Sequence, residues 1–136
     1  MFNDLAPDLL KVVGRVALAA MFLLSAIDKF RVDPQEVRMI AALHLPAPRT
    51  LERLTGAFEV LAGAALVLGV YGRIAAILLA GFVLFVSLAF LRFWSFKGPA
   101  EAQIGMRNIF FANLAVAGGL ACLAASGLGR LAVTQD

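Results

Sequence analysis

The sequence predicts an all-α integral membrane protein: a bundle of four transmembrane helices, with a short interfacial helix between the first and second spans. Three observations lead there. First, 62% of the 136 residues are hydrophobic and only 15% are charged, with a mean hydropathy of +0.90, whereas a soluble domain is roughly half apolar. A water-soluble fold of this size has too little polar surface to cover so much apolar side chain. Second, the apolar residues gather in four runs of about 20, the number that a helix needs to cross a hydrocarbon core of about 30 Å. Third, the runs are separated by prolines, glycines and charges. Strands of this length in lipid leave backbone groups unpaired, so helices are the only economical choice. The four spans use most of the chain, and residues 1–136 are read as a single domain.

The first span is expected at about residues 9–27, ending in the charged run Asp28, Lys29, Phe30 and Arg31. It is read as a retained helix and not as a cleaved leader, because Arg15 interrupts it and three more apolar spans follow. In the long link after it, Pro34 can open a short helix. Val37, Ile40, Ala41 and Leu43 would share its apolar face, with Glu36 and Arg38 off that face, as in a helix lying in the membrane interface. His44, Leu45, Pro46, Ala47 and Pro48 must then be extended or turned, since each proline disfavours helix in the residue before it. Thr50 is expected to cap a second span at about residues 51–71, with Glu52 favouring the helix dipole in its first turn. A tight link at Val70, Tyr71, Gly72 and Arg73 leads to the third span, at about 74–93. Phe93 and Trp94 stand where an aromatic belt meets the membrane surface, and Gly98 with Pro99 breaks the helix. The fourth span is expected at about 109–126, ending at Gly127 and Gly129.

An even number of spans puts both termini on one side. Eight cations, Lys29, Arg31, Arg38, Arg49, Arg53, Arg92, Lys97 and Arg107, fall on the side of the long connections. Four, Lys11, Arg15, Arg73 and Arg130, fall on the side of the termini. The excess of Lys and Arg in cytoplasmic loops then places the long connections in the cytoplasm and both termini outside.

Polar groups inside the spans are the candidates for function, because each costs free energy in lipid and needs a partner or a role. On span one, Arg15, Leu18, Phe22, Ser25 and Lys29 recur in steps of three and four and so share a stripe. On span two, Glu52, Gly56, Glu59 and Gly63 share another, where the glycines admit a neighbouring helix beside the carboxylates. Counting inward from the long connections puts Glu59 and Asn113 at similar depth, with Ser25 and Ser87 level with them. The expectation is a polar intramembrane layer of Glu59, Asn113, Ser25 and Ser87, roofed by Lys29, Arg107 and Trp94, with Arg15 and Arg73 at the opposite end. Glu59 admits two readings: an ion pair with Lys29 or Arg107 that fixes helix register, or the proton-accepting group of a cavity for a polar-headed apolar molecule. Asn113 reads first as interhelical hydrogen-bonding, and Ala112, Ala115 and Gly119 as a packing face.

Other chemistries find little support. The net charge of +3 is dispersed over helix ends, with no basic stripe for nucleic acid. One histidine, His44, cannot make a bis-histidine haem site or a His-rich metal site. One cysteine, Cys122, cannot form an intrachain disulfide and reads as a small packing residue. No nucleophile arrangement, metal set or nucleotide loop points to self-contained catalysis.

The same residues resemble the DoxX family of small four-helix bacterial membrane proteins. The resemblance runs through "FLLSAIDKF", "LHLPAP", "FEVLAGAALVLGVYGR", "FWSF" and "FFANLAVAGGL", in that order. The recurrent family positions fall on Arg15, Lys29, Pro46, Glu59, Gly63, Arg73 and Asn113, whereas Ala26 stands where the family usually has Gly and Ala112 where it often has Lys. The resemblance implies a bacterial inner-membrane protein. Some relatives look like membrane subunits of quinone-linked sulfur oxidoreductases and others like scaffolds that bring redox enzymes to the membrane. Two functions are therefore expected to compete: an accessory, scaffolding or quinone-contacting subunit of a membrane redox complex, and a carrier or chaperone for a lipid or hydrophobic solute. Membrane lipid, protein subunits and a bound quinone or lipid are the expected partners.

Overall fold

The computed structural model describes residues 2–31, 34–129 and 131–134, with side chains from residue 5 onward except 34–37. Five α-helices follow one another: α1 (Phe2–Phe30), α2 (Pro34–Ala42), α3 (Pro48–Leu68), α4 (Gly72–Phe90) and α5 (Ala100–Ser126). A 3-10 turn at Phe93–Ser95 lies between α4 and α5, and no strand occurs among the described residues. Among the described residues, three stretches are long and apolar enough to cross a membrane: Leu5–Phe30, Gly72–Ser95 and Ala100–Ser126. Helix α3 has the length but carries Arg49, Glu52, Arg53 and Glu59, which interrupt its apolarity.

Several boundaries differ from expectation for identifiable reasons. Helix α3 begins at Pro48, whose fixed φ and missing N–H suit the first helical position. The residue before it, Ala47, takes a left-handed φ of 47° and no side chain caps the helix, so Thr50 lies inside α3 and does not cap it. Helix α4 ends at Phe90, and the Leu91 N–H still donates to the Ser87 carbonyl at 3.0 Å. Helix α5 starts at Ala100, nine residues before the apolar run begins; Glu101, Gln103, Arg107 and Asn108 are polar but compatible with helix. The short helix α2 forms where Pro34 suggested and lies against α3. Arg38 on it is exposed, while the expected placements of Glu36 and Val37, like that of Arg130, lie outside the described side chains.

The most extensive helix contacts are α1 with α3 and α4 with α5; α3 meets α4, and α1 touches α5 more sparingly. The buried core runs between these pairs through Ala19, Phe22, Leu66, Ala76, Leu79 and Leu120. Apolar side chains are also plentiful outside: Leu10, Leu24, Leu61, Phe85 and Leu88 are more than half exposed. A surface of that kind suits lipid and not water.

One end of the helices is closed by the chain after α5. Leu128 is buried against Gly72, where a side chain at residue 72 would collide with it. The Val133 and Thr134 N–H groups donate to the carbonyls of Leu68 and Gly69 at 3.2 and 2.9 Å, and Thr134 Oγ1 accepts from the Tyr71 N–H at 2.8 Å. The segment thus covers the α3–α4 turn. Gly69 makes that turn possible: its φ is +76°, and a Cβ there would lie 2.7 Å from the Cα of Ala132.

Gly69→Ala is therefore expected to destabilise the protein by at least about 1 kcal/mol from backbone strain alone. Gly81→Ala, at a helical position with nothing within 4 Å of the new Cβ, should be neutral or stabilising by up to about 1 kcal/mol. Thermal unfolding in one detergent compares them; equal midpoints would contradict the role given to Gly69.

Candidate functional site

The inward stripe of α1 meets the small-residue face of α3. Glu52, Gly56, Glu59, Ala62, Gly63 and Leu66 form the buried face of α3. Across from them, the Lys29 Nζ lies 2.8 Å from Glu59 Oε1 and donates to Ser25 Oγ at 2.7 Å. The Glu59 side chain is 1% exposed and that of Lys29 13%. This approach depends on missing side chains. A Cβ at Gly56 would be 3.2 Å from Lys29 Cβ and 3.6 Å from the Ala26 carbonyl oxygen, and one at Gly63 would be 3.0 Å from Leu23 Cδ2. Charge-assisted hydrogen bonds in such surroundings are short and strong, but the desolvation they require makes the pair more a register-fixing device than a large net gain.

A second polar pair joins α4 to α5. Ser87, 2% exposed, donates from Oγ to the Val83 carbonyl at 2.8 Å and accepts from Asn113 Nδ2 at 3.1 Å. Beside it runs a shallow groove of about 150 Å³ lined by Leu84, Ser87, Leu88, Phe110 and Leu114. The expected single layer therefore divides between two helix pairs: Ser25, Lys29 and Glu59 on α1–α3, and Ser87 with Asn113 on α4–α5. Arg107 does not roof the Glu59 pair. It is exposed, and with Phe93, Gln103 and Ile104 it lines another open groove of about 200 Å³. Trp94 is half exposed and lies with Phe93, Phe110 and Phe111 in a cluster of edge-on rings.

At the other end, Arg15 is 2% exposed and donates to the carbonyls of Leu128 (3.3 Å) and Leu131 (2.9 Å). Arg73 is exposed beside Gly127, and Lys11 donates to the Ser126 carbonyl at 3.3 Å. Gly63 is buried at the α1–α3 contact, and Pro46 is exposed in the turn before α3, between His44 and Ala47 with φ of 59° and 47°.

Some features escaped sequence reasoning. Glu52 shares the inward face of Glu59, as the seven-residue spacing predicts, but it is fully buried, which a first-turn residue facing the helix dipole gives no reason to expect. The partners of Arg15 are backbone carbonyls of the terminal segment, which carry no sequence signal; the apolar Leu128 and Leu131 around two glycines are the one hint. Cys122 is exposed and does not pack in the core. Ala112 and Ala115 are exposed as well, while Gly119 faces Leu18.

Comparison with known proteins places the chain in a family. The DoxX family matches residues 10–92, which hold most of α1, all of α2 to α4 and the Lys29–Glu59 pair. The chain belongs to the DoxX family. A DoxX-family assignment is consistent with a second similarity: the inner membrane protein YphA of Escherichia coli (strain K12) is 26% identical over 130 residues, covering 96% of this chain and 91% of that protein. No solved structure matches the chain significantly.

Lys29→Met removes the cation beside a buried carboxylate and is expected to cost about 3–5 kcal/mol, whereas Lys29→Met combined with Glu59→Leu should cost much less than the two single changes summed. Thermal unfolding of the four proteins in detergent measures the coupling. Additive effects would show that the pair does not hold α1 to α3.

Proposed function

We propose that this DoxX-family chain is a four-span protein of the inner membrane that acts as a scaffolding subunit of a membrane redox complex, the chemistry being done by its partner. The observation that carries this reading is that polar groups within the helices are engaged with one another or with the backbone. Lys29 holds Glu59 and Ser25, Asn113 holds Ser87, and Arg15 holds two carbonyls. Groups held in this way are costly to detach in order to bind anything else. That leaves the apolar exterior as the surface on which partners act. The family resemblance supplies the redox context, and the name of the Escherichia coli relative supplies the membrane. The carrier reading asks Glu59 to face a cavity, and its 1% exposure and ion pair favour the scaffold.

In this reading α3 supplies the fourth crossing. Its length of 21 residues suffices, and burial of Glu52 and Glu59 against the other helices keeps both carboxylates from lipid. The long connections then face the cytoplasm, as their Lys and Arg excess suggests.

Two measurements test these statements. Single cysteines introduced at residues 3 and 134 into a Cys122→Ser background should both react with a membrane-impermeant maleimide from the periplasmic side; labelling from opposite sides would mean three spans. Purification from native membranes in mild detergent should bring down an enzyme with flavin, haem or quinone absorbance. Recovery of this chain alone, with its fold intact, would sink the scaffold role.

A further inference from the structure

The two open grooves follow one another along a single face of α5. Gln103, Arg107, Phe110 and Leu114 recur in steps of four, three and four residues, so they stand one above another. Gln103 and Arg107 line the outer groove, Phe110 and Leu114 the inner one, and Leu84 and Leu88 of α4 complete the inner wall. The trough therefore changes character along its length, cationic and polar at one end and apolar at the other.

Its polar end falls at the depth of lipid headgroups. Helix α5 has 27 residues, about 40 Å, and a hydrocarbon core takes about 20 of them. Counting back from Ser126, that length is used up near Arg107. Helix α4 ends at Phe90, so Arg92 and Trp94 emerge at the same boundary, with the Arg92 guanidinium 5.9 Å from the Trp94 ring centroid. Lys97 follows, exposed in the connection. Against these cations the sequence sets one acid, Glu101; it is the only acidic residue between Glu59 and Asp136. The local field at this end is thus positive, above an apolar channel open to lipid.

We propose that the α4–α5 trough binds one anionic phospholipid, with its phosphate at Arg107, beside Gln103 whose amide is held by the Phe93 carbonyl at 2.9 Å, and an acyl chain along Leu84, Leu88, Phe110 and Leu114. The charge pattern selects this occupant. A neutral quinone gains nothing from a guanidinium at its mouth, and a free anion gains nothing from the apolar channel. Basic grooves between membrane helices at the headgroup level are suited to acidic lipids. The site needs only that α4 and α5 cross the membrane, and it stands whether or not the scaffold reading does.

The test is native mass spectrometry of the full-length protein released from detergent, titrated with phosphatidylglycerol and with phosphatidylcholine of the same acyl chains. Phosphatidylglycerol should bind more tightly, and Arg107→Gln should weaken it about fivefold, bringing it toward phosphatidylcholine. Arg107→Lys should retain the preference, and Arg38→Gln, in a different helix, should leave it unchanged. Leu88→Trp, which fills the inner groove, should weaken both lipids. Helical circular dichroism confirms that each variant is folded. Equal affinity for the two lipids in the unaltered protein would overturn the proposal. So would an Arg107→Gln protein behaving like Arg38→Gln, displacement of phosphatidylglycerol by inorganic phosphate at equal concentration, or its displacement by a ubiquinone analogue equally well in the unaltered and Arg107→Gln proteins.

Discussion

The contact on which the rest of the structure depends is the meeting of Lys29 on α1 with Glu59 on α3. In apolar surroundings neither charge is tolerable alone, and that constraint propagates into the sequence around them. The Lys29 stem must lie flat on α3, so residue 56 can carry no Cβ without crowding it. One turn beyond Glu59, Gly63 admits Leu23, and Ala26 and Ala19 are fully buried on the facing helix. The α1–α3 contact is thus assembled from small residues placed around one ion pair.

The opposite end is held by a different chemistry. Arg15 donates to two peptide carbonyls, those of Leu128 and Leu131, supplied by a segment that has already left α5. Backbone carbonyls are weaker partners than a carboxylate, yet they carry no charge to be desolvated, and they tie the end of the chain to its beginning. The same segment reaches Leu68 and Gly69. Leu128, Val133 and Thr134 close over the α3–α4 turn, and Gly69 in a left-handed conformation is what lets that turn lie beneath them. One end of the assembly is therefore locked by the terminus, while the other end carries the long connections and an open, cationic margin.

Much of this was legible beforehand because helical periodicity records which side of a helix faces inward. The stripe from Arg15 to Lys29 and the face from Glu52 to Gly63 follow from spacing alone, and both are buried or half-buried as read. Spacing does not record which helix stands opposite. Counting residues from a helix end gives depth and nothing about position around the axis, so Ser25, Glu59, Ser87 and Asn113 looked like one layer when they form two separate pairs. Helix starts were misplaced where polarity and helicity part company. Residues 100–108 are polar enough to read as a loop, yet contain good helix formers; Pro48 reads as a breaker, yet at a first position it is a starter. Carbonyl partners for Arg15 could not be read at all, since every residue offers one.

These differences redirect attention from the interior to the surface. A group that already holds a partner at hydrogen-bond distance must lose it before it can bind anything else, and in a low-dielectric interior that loss is costly. Glu59 and Lys29 are in that position, as is Arg15. Arg107 is in the opposite one: it is exposed, it lies one helical turn from Phe110, and its neighbours Phe93, Gln103 and Ile104 border an open groove. A cation kept at the membrane boundary while the interior charges are paired is the group best able to meet a ligand without first breaking the fold. The asymmetry of this protein is therefore one of availability: the cations Arg15 and Lys29 of α1 are committed to partners within the fold, while Arg107 of α5 stands at the open margin.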